Sequence, residues 1–219
     1  MGNFKVAEHF VSINGEGRKA GELAFFIRFA GCNLDCAWCD TKWANTPGAP
    51  VTLMDIPQLC RAAQQSAVKN ITLTGGEPLL QENITGLIKA LAAQGHSLEI
   101  ETNGSVLLPL DLDCDVSFTM DYKLPSSAMQ DKMRLENFSR LREKDTVKFV
   151  CADHSDLECA SQIIKQYSLT DVCKVYFSPV FGVTDPKDIV DHMIKNDLDG
   201  VRLQLQLHKF IWDPDQRGV

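Results

Sequence analysis

The stretch Leu23-Ala24-Phe25-Phe26-Ile27-Arg28-Phe29-Ala30-Gly31-Cys32-Asn33-Leu34-Asp35-Cys36-Ala37-Trp38-Cys39-Asp40 decides how the chain is read. Its first seven residues form a short apolar run suited to a buried strand. Gly31 permits a tight turn out of that strand. Three cysteines follow, with gaps of three residues and then two, and no fourth cysteine or histidine stands close behind. A closed structural zinc site takes four protein ligands. A cubane iron–sulfur cluster has four irons, usually with one thiolate each. Three thiolates leave one iron free to bind a small molecule, so the run reads as a reactive centre. Trp38, between the last two thiolates, reads either as a cover for one cluster face against water or as a half-buried loop aromatic.

Outward from this run, strand-like and helix-like segments alternate. Strand patterns occupy 70–73, 98–101, 116–119, 146–151 and 174–177, and residues 201–207 alternate at period two. Helical spacing of apolar residues covers 55–68, 82–94, 155–167 and 186–196, the last after a plausible start at Asp185-Pro186. Repeated strand–helix units predict an α/β fold with a parallel sheet and right-handed crossovers. The polar strand ends at Thr74, Glu101, Asp121 and Ser178 then gather on one edge, where α/β folds place their sites. Residues 40–52 and the stretch near 121–136 read as loops. No repeat or linker divides the chain, which predicts one domain over 1–219.

Composition narrows the class. Hydrophobic content of 44% and charged content of 23% are ordinary for a soluble globular protein. A net charge of −7 argues against a general nucleic-acid binder. An anionic substrate then needs local cations. No signal peptide stands at Met1-Gly2-Asn3-Phe4-Lys5, and no apolar run approaches membrane-spanning length. Eight cysteines that cluster only once favour a reducing, cytoplasmic setting over a disulfide framework. Cys60, Cys114, Cys151, Cys159 and Cys173 read as small buried hydrophobes.

A second signal is Thr74-Gly75-Gly76-Glu77-Pro78 at a strand end. The glycines allow close backbone approach of a ligand. An ionised Glu77 accepts hydrogen bonds only, which suits an ammonium group. Together the Cys-x3-Cys-x2-Cys run and this turn resemble the radical S-adenosylmethionine superfamily. Further stretches resemble its 7-carboxy-7-deazaguanine synthase family: Ser12-Ile13-Asn14-Gly15-Glu16-Gly17, Phe26-Ile27-Arg28-Phe29, Asp40-Thr41, Lys123 with Pro125-Ser126-Ser127, and Gln206-Leu207-His208-Lys209. Asn14 departs from the family's usual Gln, and Met120-Asp121-Tyr122-Lys123 from its Ser-Pro-Lys pattern.

The resemblance implies a compact, incomplete (β/α) partial barrel. It implies a [4Fe-4S] cluster on Cys32, Cys36 and Cys39, S-adenosylmethionine on the open iron, and Mg2+ at Thr41. The adenosyl radical would remove the C6 hydrogen of 6-carboxy-5,6,7,8-tetrahydropterin. Ring contraction and loss of ammonia would give 7-carboxy-7-deazaguanine, in queuosine or other 7-deazapurine biosynthesis. The cluster and cofactor carry the chemistry, so no side chain is assigned a catalytic role. The substrate is assigned to Ile13, Asn14, Gly15, Glu16, Arg28, Thr74, His208 and Val219. Arg28 is placed to clamp its carboxylate, and Glu16 to accept from the pterin N–H groups. The cofactor is assigned to Trp38, Cys39, Asp40, Gly76, Glu77, Asp121, Tyr122, Lys123, Ser178, Pro179, Val180 and Phe181. A flavodoxin- or ferredoxin-type reductant and a homodimer are also implied.

Two rival readings remain at this point. One is a glycyl-radical-enzyme activase, which carries the same cysteine spacing but needs a protein partner. The other is a metal-binding or electron-transfer module, with a distant cysteine such as Cys60 as fourth ligand.

Overall fold

The computed structural model describes residues 3–110 and 112–219, so Met1 and Gly2 of the N-terminal reading lie outside it. Nine strands form one sheet in the order β3-β1-β2-β4-β5-β6-β7-β8-β9. They are β1 (Phe4–Ile13), β2 (Leu23–Phe29), β3 (Thr52–Met54), β4 (Asn70–Gly75), β5 (Ser97–Thr102), β6 (Val116–Tyr122), β7 (Thr146–Cys151), β8 (Lys174–Pro179) and β9 (Val201–Leu203). From β2 to β9 every neighbouring pair is parallel. β1 is antiparallel to both β2 and β3. The edges β3 and β9 do not pair with each other, so the sheet is an open partial barrel.

The crossover helices are α1 (Ile56–Ser66), α2 (Ile84–Ala93), α3 (His154–Gln166) and α5 (Pro186–Lys195), with the short α4 (Leu169–Val172) and α6 (His208–Ile211). Their starts follow capping chemistry. Asp55 accepts from the Gln58 N–H at 2.8 Å, and the Gln58 side chain accepts from the Asp55 N–H at 2.8 Å. Asp185 caps α5 ahead of Pro186, as the sequence predicts. Among the described residues no helix is long and apolar enough to cross a membrane.

Two strands escaped the sequence reading. Phe4–Ile13 carries no strand expectation and pairs as β1; Thr52–Met54 starts at the end of a predicted loop and pairs as β3. The stretch at 201–207 is shorter than its alternation implies, because β9 ends at Leu203. Its neighbour β8 ends at Pro179, which has no N–H to extend the ladder, so Gln204 donates the last rung to Phe177 O at 2.8 Å.

The core lies between helices and the outer face of the sheet. Ile27, Leu73, Ile100, Phe118, Val147, Phe149 and Phe177 from successive strands are almost wholly buried there. Each such side chain stabilises the fold by about 1.5–3 kcal/mol. The inner face is different, and the site is built on it.

Candidate active site

One cavity of about 750 Å³ opens on the inner face, within the range of small-molecule sites. Period-two alternation decides what it receives. Arg28 of β2, Thr74 of β4, Glu101 of β5, Thr119 and Asp121 of β6, and Lys148 of β7 all line it. Their apolar neighbours in sequence point the other way, into the core.

Cys32, Cys36 and Cys39 line the same cavity and form no disulfide. Burial pushes the Cys32 and Cys36 thiols up, and the neighbouring sulfurs push them further. Asn103 Nδ2 donates to Cys32 Sγ at 3.5 Å and the Leu34 N–H at 3.4 Å, which favours a thiolate there. The three sulfurs do not all lie within 4.8 Å of one another, as ligands of a single ion would. That spread fits sulfurs bound to separate irons of one cluster. Cys60 sits in α1 within the core and does not line the cavity, so it supplies no fourth ligand.

The cradle is held by a backbone seam. Gly76 N donates to Phe29 O and Glu77 N to Gly31 O, both at 3.0 Å. A Cβ on Gly75 would stand 2.1 Å from Phe29 O, and one on Gly76 would stand 1.9 Å from Gly31 O. The Gly-Gly pair therefore lets β4 lie against the cysteine loop. Glu77 is wholly buried; its carboxylate accepts from Thr102 Oγ1 at 2.8 Å, Asn103 N at 2.7 Å and Leu79 N at 3.0 Å. Those bonds fix the carboxylate against the Asn103 loop, and Oε2, which accepts only from Asn103 N, keeps a further acceptor position.

Charged groups along the inner face are linked in a chain. Arg28 Nε is 2.8 Å from Glu8 Oε1, and among the described residues its Nη groups make no hydrogen bond. Lys148 Nζ is 2.8 Å from Glu16 Oε2 and 3.7 Å from Asp121 Oδ2. Lys123 Nζ is 2.9 Å from the same Asp121 oxygen and 5.2 Å from the Trp38 ring centre. Burial alone would lower both lysines, but the surrounding carboxylates outweigh it and hold them charged. Glu16 Oε1 and Asp121 Oδ1 are buried with no partner, so each side has an acceptor to offer a ligand. Thr74 Oγ1 donates to Glu101 Oε2 at 2.6 Å, and burial raises that carboxyl.

The loop carrying Glu16 is clasped by the C-terminal strand region. Gly17 N donates to Gln204 Oε1 at 2.9 Å, and Gln204 Nε2 donates to Gly17 O at 3.0 Å. His208 packs on Gly15, where a Cβ would stand 2.0 Å from the ring Nδ1. Burial lowers the His208 pKa, which favours the neutral ring. Lys209 Nζ reaches Asp40 Oδ2 at 3.0 Å. Thr41 Oγ1 lies 3.6 Å from Cys39 Sγ.

Of the residues named from sequence, Ile13, Gly15, Glu16, Arg28, Thr74, His208, Val219, Trp38, Asp40, Gly76, Asp121, Lys123, Val180, Phe181 and Thr41 join the cysteines around the cavity. Asn14, Glu77, Tyr122, Ser178 and Pro179 do not line it. Asn14 is buried beneath the site, where its Oδ1 accepts from Thr72 Oγ1 at 2.7 Å. Tyr122 follows Asp121 in β6, so its ring faces the core and stacks on Phe138 at 5.5 Å. Ser178 and Pro179 are buried at the end of β8. The sequence reading missed Glu8, Asn103, Lys148 and Lys209, and the inward aim of Glu101. For Lys148 the signal was present as the polar member of Val147-Lys148-Phe149.

Residues 26–115 match the Radical SAM superfamily. The chain is 51% identical to the 7-carboxy-7-deazaguanine synthase of Clostridium acetobutylicum, over 99% of its own length and 100% of that protein. It is 38% identical to the enzyme of the same name from Chlorobaculum tepidum, over 98% and 96%. The crystal structure of QueE from Escherichia coli shares the fold, with a TM-score of 0.74 at 21% identity, covering 93% of this chain and 94% of that one. The superfamily match, with the cysteine cradle and these full-length relatives, defines a radical S-adenosylmethionine enzyme. Within that class, the full-length relatives settle the finer assignment: the chain belongs to the 7-carboxy-7-deazaguanine synthase family.

Proposed function

We propose that this chain, acting as one domain, converts 6-carboxy-5,6,7,8-tetrahydropterin to 7-carboxy-7-deazaguanine with release of ammonia. The observation that carries the reading is convergence in one cavity. Three free cysteines, an arginine with unengaged Nη groups and an unpartnered buried Glu16 oxygen face the same space. A cluster with S-adenosylmethionine bound there supplies the radical chemistry.

The chain's own residues bind and orient. Glu8 holds Arg28 by Nε, which leaves the Nη edge for the substrate carboxylate. Glu16, fixed by Lys148 through one oxygen, offers the other to the pterin N–H groups. Asp121, held by Lys123 and Lys148, keeps an oxygen for a cofactor hydroxyl or amine. Trp38 and Phe181 exclude water from the cluster side. Thr41 and the adjacent Asp40 offer hard oxygen atoms suited to Mg2+. His208 and Val219 close the substrate side. The cytoplasm, a low-potential flavodoxin or ferredoxin as electron donor, and a homodimer complete the proposal. The 7-carboxy-7-deazaguanine synthase relatives favour a small-molecule substrate over the protein partner of an activase.

The test is anaerobic turnover of the carboxypterin with reconstituted cluster, S-adenosylmethionine, reductant and Mg2+. Ammonia and the deazaguanine acid are expected without any partner protein. Intact cluster and bound cofactor with no product would overturn the substrate assignment.

A further inference from the structure

Away from the cavity, three side chains converge between α3 and α5. His154 opens α3, Glu158 lies one turn on, and His192 projects from α5. One ligand atom from each lies within 4.8 Å of the other two, the one such trio among the described residues. Glu158 Oε1 is 3.5 Å from His154 Nε2 and 3.8 Å from His192 Nδ1. Ligands about 2.0–2.1 Å from a tetrahedral ion stand about 3.3 Å apart, so the trio is already near that spacing. The His154 side chain is 69% exposed and free to adjust, whereas His192 is 3% exposed.

The tautomer of His192 is fixed by a neighbour. Ser161 Oγ donates its single proton to Leu157 O at 2.7 Å. It therefore accepts from His192, whose Nε2 lies 2.9 Å away. With the proton on Nε2, Nδ1 carries a bare lone pair on the side of the Glu158 carboxylate. Two acceptors then face each other at 3.8 Å with no proton between them. Asn196 Nδ2 lies 3.3 Å from Nδ1 and 3.4 Å from Nε2, shared between the two ring nitrogens, and donates to His192 O at 2.9 Å. Metal-ligating histidines commonly donate their second ring N–H to an oxygen, as His192 does to Ser161.

We infer that His154 Nε2, Glu158 Oε1 and His192 Nδ1 form a site for a borderline divalent transition metal of the Zn2+ type, pinning α3 to α5. Two imidazoles and one carboxylate suit Zn2+, whereas Mg2+ prefers an all-oxygen octahedron. Three protein ligands leave water in the fourth position. The site is separate from the cysteine cradle, and its role is to fasten the helices that follow β7 and β8.

The experiment uses cluster-loaded protein, stripped of loose metal and titrated with ZnCl2 by calorimetry. Iron and sulfide are measured before and after, so replacement of the cluster is not counted as binding. One Zn2+ per chain is expected at this site, with a binding heat that a constant excess of MgCl2 in the buffer does not compete away. Tm should rise by about 5–10 °C at a hundredfold excess over Kd. The exposed-side variants His154→Ala and Glu158→Gln, which leave the core intact, should each weaken Zn2+ at least tenfold and leave carboxypterin turnover unchanged. No Zn2+ uptake, or uptake that both variants retain at wild-type affinity, overturns the site and leaves an ordinary helix-surface ion pair.

Discussion

The inner and outer faces of the sheet are built from neighbouring residues of the same strands, yet they follow opposite rules. Outside, Ile27, Leu73, Ile100, Phe118 and Val147 pack against helices and contain no polar side chain. Inside, Arg28, Thr74, Glu101, Thr119 and Lys148 hold charges and hydroxyls around a cavity. The outer face stabilises by removing apolar area from water. The inner face costs desolvation, offset by pairing one charge with the next through Glu8, Glu16 and Asp121. Stability and function are thus separated by one residue step along a strand.

Breaking the cradle should have the largest effect. Cys36→Ser is expected to lose the cluster and all turnover, read by iron content and product formation. On the outer face, Phe118→Ala should lower unfolding free energy by about 3–5 kcal/mol, with KM for the carboxypterin held within twofold. A large KM change would show that the two faces are coupled. Deep on the inner face, burial raises the Glu99 carboxyl from 4.5 to about 7. The folded state therefore holds that proton more tightly than the unfolded state. Its stabilisation is full below pH 4.5 and is lost as pH rises through 7, a loss of about 3 kcal/mol. Glu99→Gln stays neutral, so its denaturation midpoint should fall much less between pH 5 and pH 8; an equal fall would assign the titration elsewhere. Arg28→Ala should cost about 1.5–3 kcal/mol of substrate binding, seen as a tenfold or greater rise in KM with little change in Tm. Smallest is Tyr122→Phe. It should shift stability by about 1 kcal/mol or less and leave S-adenosylmethionine affinity unchanged, since the ring faces the core. A tenfold weaker cofactor would return Tyr122 to the site.

The same contrast explains what was legible in the sequence. The parallel core was readable because its strands are short apolar runs between amphipathic helices. The cradle was readable because thiolate spacing is local. β1 was missed as a strand because its residues do not alternate cleanly, with Ser12 between Val11 and Ile13, and because it pairs antiparallel before the repeating strand–helix pattern begins. Tyr122 was placed in the site beside Asp121 and Lys123, and Glu77 by its acceptor chemistry and its motif. Strand parity turns Tyr122 to the core, and Thr102 with Asn103 orients the Glu77 carboxylate. Lys148 was missed for the converse reason. Its partners Glu16 and Asp121 lie far away in sequence, and only the sheet brings them together.

The clasp between Gly17 and Gln204 joins residues 187 positions apart. Loop closure over such a span carries a large entropic cost and comes late in folding. Along the emerging chain, Cys32, Cys36, Cys39, the Gly75-Gly76 seam and Asn103 are all present by residue 103. The partners that fasten the Glu16 loop arrive only with Lys148, Gln204 and His208. The molecule thus has an order of synthesis written into its topology, with the cysteine cradle specified early and the clasp on the Glu16 loop supplied last.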